Sequence, residues 1–443
     1  MAGLASDGGL YVPESVPVFS TQELAEMATL PYADLALRVI KPFVGDAIPE
    51  KDLKKIIDDS YATFAHKAVA PLKKIGDNEF LLELFHGRTL AFKDFALQFL
   101  GRVLEYFLAR NHRQVTVIGA TSGDTGSAAI EGCRGRKHMR IFILHPHNRV
   151  SEVQRRQMTT VTDENIFNIA IEGTFDDCQD IVKSLFANKE FQEKQHLTAV
   201  NSINWARILA QIVYYFYAAF AVGAPGQRVN FCVPTGNFGD IYAGYIAQRM
   251  GLPVEKLIIA TNNNDILARC LKTGVYGMES VSPTLSPSMD IQVSSNFERL
   301  LFDLYDRDGK TIATLLQDLH KDKKMTLSLT ALSRLRAQFS AGKADDALTK
   351  QTIAAVYKET GELIDPHTAV GVTVGRECHK DRTIPLIVLA TAHPAKFPDA
   401  VKQATGIHPA LPAYLSDLME RKEKLEVLPA NEDKVKAYIE STQ

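Results

Sequence analysis

Short apolar runs alternate with helix-like stretches along most of this chain, and that alternation limits the folds open to it. The runs are Phe80–Phe85, Val115–Ala120, Ile141–His145, Phe167–Ile171, Val229–Val233, Leu257–Ala260 and Ile384–Ala390. Strands separated by helices imply parallel βαβ units, hence an α/β fold with parallel sheets flanked by helices. Such sheets bind ligands beyond the C-terminal ends of their strands. Chemistry is therefore expected just after each run. The chain up to about residue 75 differs: it carries helical signals, with Thr21 expected as an N-cap and Glu23 and Glu26 in the turns behind it. That reading gives a mainly helical N-terminal domain (1–75), a large domain (76–110 with 211–443) and a small domain (111–210). Residues 282–290, with two prolines, read as an irregular connection. Residues 320–347 read as a charged, solvated stretch of helical spacing.

Charge and cysteine content remove several function classes. Fifty basic residues face 52 acidic ones, a net charge of −2, whereas nucleic-acid binders usually carry a basic excess. No nucleic-acid partner is expected, and an anionic small substrate would need locally placed cations. The five cysteines, Cys133, Cys178, Cys232, Cys270 and Cys378, are widely spaced and form no CxxC. A disulfide framework and a metal site are not expected, which fits a reducing cytoplasm. The start, Met-Ala-Gly-Leu-Ala-Ser-Asp, has neither a basic stretch nor an apolar run, so no signal peptide is expected. The most apolar stretch, Ile208 to Pro225, is broken by Gln211. It suits a buried helix better than a membrane span, which needs about 20 residues.

Five segments carry candidate chemistry. Lys93 follows a turn containing Gly87 and sits between Ala91-Phe92 and Phe95-Ala96. A lysine is usually a solvated charge, but burial lowers its pKa, and a neutral amine can attack a carbonyl. Ala120-Thr-Ser-Gly-Asp-Thr-Gly126 directly follows a strand and opens a helix, where backbone N–H groups attract anions. An ordinary capped turn would look the same. Pro234-Thr-Gly-Asn-Phe-Gly-Asp240 also follows a strand, and its Gly236 and Gly239 allow close wrapping of a phosphate. It is neither a Walker loop nor a dinucleotide fingerprint. Asn201, Ser202, Asn204 and Arg207 cluster before the apolar helix, and an arginine grips phosphate or carboxylate bidentately. Finally, Thr391 ends a strong strand in Leu389-Ala-Thr-Ala-His-Pro-Ala-Lys396, a position that suits contact with a ring.

In order, HGxTLAFKD, ATSGDTG, NSINxxR, PTGNFGD, DPHTAVG and TAHPAKF resemble the threonine synthase family, from Asp7-Gly-Gly-Leu-Tyr-Val-Pro13 to the C-terminal region. The resemblance implies a fold type II pyridoxal-phosphate enzyme, built like the tryptophan synthase β subunit, with pyridoxal 5′-phosphate as cofactor and an added N-terminal domain. Lys93 would hold the cofactor covalently and shuttle protons, and Phe92 would pack against it. Gly236, Asn237, Phe238, Gly239 and Asp240 would wrap its phosphate, and Thr391 would meet its ring nitrogen. Thr121, Ser122, Gly123 and Thr125 would bind the substrate carboxylate. Asn201, Ser202 and Arg207 would bind the substrate phosphate. His86, His367 and Lys396 would stand behind these. The substrate implied is O-phospho-L-homoserine, converted with water to L-threonine and phosphate by γ-elimination and β-replacement in a monomeric enzyme.

Three departures stand out. Arg88 occupies the place of a usual proline, which would stiffen the loop; arginine could loosen it or add a cation. Asp124 replaces an asparagine common in related enzymes. Family members also usually carry roughly twenty more residues before Asp7, in a region where chain ends vary. The nearest rivals are a phospho-lyase giving 2-oxobutyrate from the same substrate and a serine or threonine dehydratase, which would need no phosphate site at 201–207. A catalytically dead scaffold is a further alternative, against which the intact Lys93 and phosphate loop argue.

Overall fold

The computed structural model describes residues 3–5, 7–199 and 201–442. It divides into two compact units: residues 87–201 with the chain from 410 onward, and 2–86 with 202–409.

The larger unit is built on a six-stranded sheet in the order Leu72–Gly76, Glu79–Glu83, Leu386–Ala390, Val229–Pro234, Val254–Thr261, Phe339–Lys343. Only the first pair is antiparallel; the rest run parallel. The central strands Val229–Pro234 and Leu386–Ala390 are buried along their whole length, as strands covered on both faces must be. Helix Pro366–Cys378 covers one face, and its Ala369, Val370, Val372 and Val374 pack into a core with Cys232, Ile258 and Val388. Helix Trp205–Ala221 is buried over most of its surface, including Ile208 to Phe216. This is the apolar stretch expected to be a core helix. No helix among the described residues is long and apolar enough to cross a membrane.

The N-terminal helices Thr21–Met27, Tyr32–Val44 and Glu50–Tyr61 form, but not as a separate core. Tyr32 packs edge-on against Tyr217, with ring centroids 5.2 Å apart, and Phe43 lies 5.9 Å from Trp205. These aromatic contacts place the helices on the larger unit. The expected cap is off by one. Ser20 takes that position: its hydroxyl accepts the Glu23 N–H while the Glu23 carboxylate accepts the Ser20 N–H, a capping box.

The smaller unit holds a parallel sheet ordered Glu426–Pro429, Ile166–Glu172, Met139–Pro146, Val115–Ala120, Leu197–Thr198. Two boundaries differ from the sequence-based ones. The C-terminal strand Glu426–Pro429 pairs with Ile166–Glu172, so the end of the chain builds this sheet and not the larger one. Helix Lys93–Arg110 belongs here too. It meets helix Asp124–Cys133 backbone to backbone: a Cβ on Gly101 would fall 2.1 Å from the Gly132 carbonyl oxygen.

Every run read as a strand is one, within a few residues. Residues 282–290 are irregular apart from the turn Pro287–Met289. The 320–347 stretch is only partly helical, because strands Lys324–Thr326 and Phe339–Lys343 interrupt it.

Candidate active site

In the smaller unit, Lys93 opens its helix and is 9% exposed. Its Nζ lies 3.4 Å from Asp124 Oδ2 and 5.6 Å from the centre of the Phe92 ring. Asp124, whose contact the sequence left open, is thus the carboxylate beside this amine. Its other oxygen accepts the Gln154 amide at 2.8 Å, and Gln154 in turn accepts the Ser151 hydroxyl at 2.9 Å. The loop before Lys93 does not need the family's proline. Asp94 accepts the Thr89 N–H at 2.8 Å and the Thr89 hydroxyl at 2.9 Å. Gln157 holds the Thr89 carbonyl and Tyr414 the Gly87 carbonyl. Leu90, at φ +60°, is wholly buried against Val153, Leu415 and Leu418. That burial offsets a left-handed backbone costing about 1–2 kcal/mol. Arg88 ties the loop to the helix Asp124–Cys133: its guanidinium pairs at 3.1 Å with Glu131, a carboxylate that Arg134 shares.

The 120–126 turn is shaped from within. The Thr121 hydroxyl oxygen accepts the Gly123 and Gly126 N–H groups at 3.0 and 2.9 Å, so its first task is to form the loop. Gly123 sits at φ +142°, and a Cβ there would lie 2.6 Å from the Gln154 amide. Ser122 is exposed and Thr125 half-buried, which leaves them as the side chains presented at this turn.

In the larger unit, the Pro234–Asp240 loop and Thr391 leave neighbouring parallel strands at the same sheet edge. Phe238 adopts φ +63° and buries its ring against Phe297 and Phe339. Helix Gly239–Arg249 then starts with no side-chain cap, and the first N–H groups of a helix have no partner within it. The Asp240 carboxylate turns inward. Oδ1 accepts the Tyr214 and Tyr215 hydroxyls at 2.5 and 2.9 Å, and burial pushes its pKa up to about 6. A bound anion would thus meet the Asp240 backbone and be spared its charge.

Arg207 is a buried cation of this unit. Burial draws its pKa down to about 10. Its Nη1 is enclosed and meets no hydrogen-bond partner. A buried guanidinium with an unmatched donor is costly unless an anion completes it. Ser202 is tied to the Pro234–Asp240 loop by residues that motif reading passed over. The Asn296 side-chain amide donates to the carbonyls of both Ser202 (3.1 Å) and Asn237 (2.9 Å), and Arg299 bonds Asn296 and the Ile203 carbonyl. Ser294, Ser295 and Asn296 lie in no glycine-rich or charged motif; only their spacing behind the proline-rich stretch could have flagged them. Asn201 falls at the end of the smaller unit's segment. His86 Nε2 donates to the Glu83 carboxylate at 2.7 Å, and Lys396 is buried.

Family models described as Threonine synthase N terminus, Pyridoxal-phosphate dependent enzyme, and Threonine synthase, C-terminal match residues 1–61, 66–344 and 368–439. A threonine synthase of Pseudomonas aeruginosa is 57% identical, over 99% of this chain and 94% of that protein. The crystal structure of a PLP-bound threonine synthase from Brucella melitensis superposes with a TM-score of 0.98 at 52% identity, covering 99% of this chain and 95% of that one. The yeast threonine synthase structure gives 0.96 at 44% identity, covering 99% and 94%.

Proposed function

This chain belongs to the threonine synthase family of pyridoxal-phosphate-dependent enzymes, and from that premise we propose that it converts O-phospho-L-homoserine and water to L-threonine and phosphate. The observation that carries the substrate is Arg207: an enclosed guanidinium with an unmatched donor, linked through its segment to the phosphate loop. A dehydratase acting on serine or threonine has no substrate phosphate to bring to that buried cation.

The residues fit the cofactor. The uncapped helix start at Gly239 and the bend through Gly236 offer backbone donors to its phosphate, and Lys93 offers an enclosed amine to its aldehyde. Thr391, 5% exposed at the strand end, offers a neutral hydroxyl to its ring nitrogen. When bound, the cofactor supplies an electron sink for negative charge on the substrate.

The rest falls to side chains. Ser122, Thr125 and the Gly123 backbone hold the substrate carboxylate; Arg207 with Asn201 and Ser202 holds its phosphate. The net change removes phosphate and adds hydrogen at Cγ, and puts a hydroxyl on Cβ. Protons must therefore leave Cα and Cβ and be returned to Cγ and Cα. Lys93 is the base for the Cα proton, with Asp124 beside it to steady the ammonium that results. The phosphate held at Arg207 is a second proton carrier near Cγ. The neutral hydroxyl of Thr391 stabilises ring charge less than a carboxylate would, which favours elimination and replacement over transamination.

Incubation with O-phospho-L-homoserine should release phosphate and threonine in equal amounts, read by phosphate assay and amino-acid analysis. A 2-oxo acid in place of threonine would make the chain a phospho-lyase. We propose a cytoplasmic location with the same reading. We carry the expected monomer forward with this reading; sedimentation measures it.

A further inference from the structure

The Asp365-Pro-His367 segment lies outside the loops assigned above, yet its side chains are almost wholly buried, His367 at 3% exposure. Asp365 caps helix Pro366–Cys378. Its Oδ2 accepts the His367 N–H at 2.9 Å, and its Oδ1 accepts the Thr368 N–H at 3.1 Å and the Thr368 hydroxyl. Asp365 acts here as an acceptor, so His367 Nδ1, 2.7 Å from Oδ2, is the donor. That assigns the tautomer. The opposite nitrogen, Nε2, carries the lone pair and accepts the Ser288 backbone N–H at 3.2 Å.

Ser288 sits in the middle of the turn Pro287–Met289. Its carbonyl closes over Gly236: a Cβ on Gly236 would fall 2.6 Å from that oxygen. On its other side, the Gly236 carbonyl accepts the Ser294 hydroxyl at 2.7 Å. The glycine that bends the phosphate loop is therefore shaped by a turn that is itself tethered to His367.

We propose that His367 is a positioning residue for the cofactor phosphate: as a neutral ring braced by Asp365, it holds Ser288, and through Ser288 the bend at Gly236, in the shape that receives the anion. The proposal rests on the reading that residues 236–240 hold that phosphate. It makes no claim that His367 touches the cofactor.

The test is equilibrium binding of pyridoxal 5′-phosphate and of pyridoxal to the full-length apoenzyme, followed by absorbance. Both aldehydes can react with Lys93, so their affinity ratio isolates the phosphate contribution. His367→Leu removes the acceptor and should cut the preference for the phosphorylated form about tenfold, the worth of one buried hydrogen bond. His367→Gln keeps an acceptor oxygen at the reach of Nε2 and should retain the preference to within about threefold. His367→Asn can still donate to Asp365 but stops short of Ser288. It should behave like leucine, and it carries the test if the leucine protein does not fold. A wild-type ratio in both the Leu and Asn proteins, or an equal loss in the Gln protein, overturns the proposal. A wild-type enzyme with no preference for the phosphorylated form overturns the cradle reading itself, and the brace with it.

Discussion

Arg207 and Lys93 show how burial turns ordinary residue types into chemical tools. Arg207 lies on a helix of apolar residues, enclosed with an unmatched donor. Arg207→Ala should weaken binding of phosphohomoserine by about 1.5–3 kcal/mol, the worth of a charge-assisted contact. Binding of the cofactor should change far less. Titrating each ligand separately checks this; equal losses would move Arg207 out of the substrate site. Lys93→Ala should end both turnover and covalent attachment of the cofactor, and substantial residual turnover would refute its role. The motifs exposed these two residues because each sits at the start of a helix. They did not expose Gln154, Gln157 or Asn296, whose amides act on residues 30, 68 and 59 positions away in sequence.

Among the elements, the helix pair Lys93–Arg110 and Asp124–Cys133 has most at stake, since each begins at a residue of the proposed site. Gly101 and Gly132 let the two backbones touch, and a Cβ on Gly132 would lie 2.6 Å from the Leu97 carbonyl oxygen. Gly101→Ala would gain about 1 kcal/mol of helix propensity. The clash is with backbone, which cannot rotate away, and overpacking typically costs about 1–3 kcal/mol. The variant should therefore unfold at lower urea concentration, and the strain should disturb the spacing of Lys93 and Asp124. An unchanged or raised midpoint would show that the helices part freely. Two of the strands missed in the sequence share a cause. Leu72–Gly76 and Phe339–Lys343 are edge strands, carrying lysines, glycine and serine where one side needs no apolar cover.

At the scale of the whole molecule, a net charge of −2 leaves stability to particular buried groups. His145, 1% exposed near the end of a strand, is one of them. Its pKa is lowered from 6.5 to about 4, with burial the largest cause; the Pro146 carbonyl opposes the shift, Arg155 and His147 add to it, and Glu423 opposes it. The folded value lies below the unfolded one, so protons favour the unfolded chain between the two. The stabilisation is fully present above about pH 6.5 and is lost as the pH falls toward 4, on the order of 3 kcal/mol in all. His145→Leu should flatten the fall in urea midpoint between pH 7.5 and pH 5. Parallel curves for the two proteins would mean that His145 already titrates normally in the folded state.

What the residues alone determined was local: strand runs, the turns that follow them, and the order of motifs, because period, glycine placement and helix starts are written in neighbouring positions. What only the tertiary structure decided was long-range. It set which sheet the C-terminal strand joins, that the N-terminal helices share the larger unit's core, that Arg88 pairs with Glu131, and that the Asp240 carboxylate faces two tyrosines. These depend on partners dozens to hundreds of residues away, and the energy of such a contact comes from burial and geometry that no local pattern encodes.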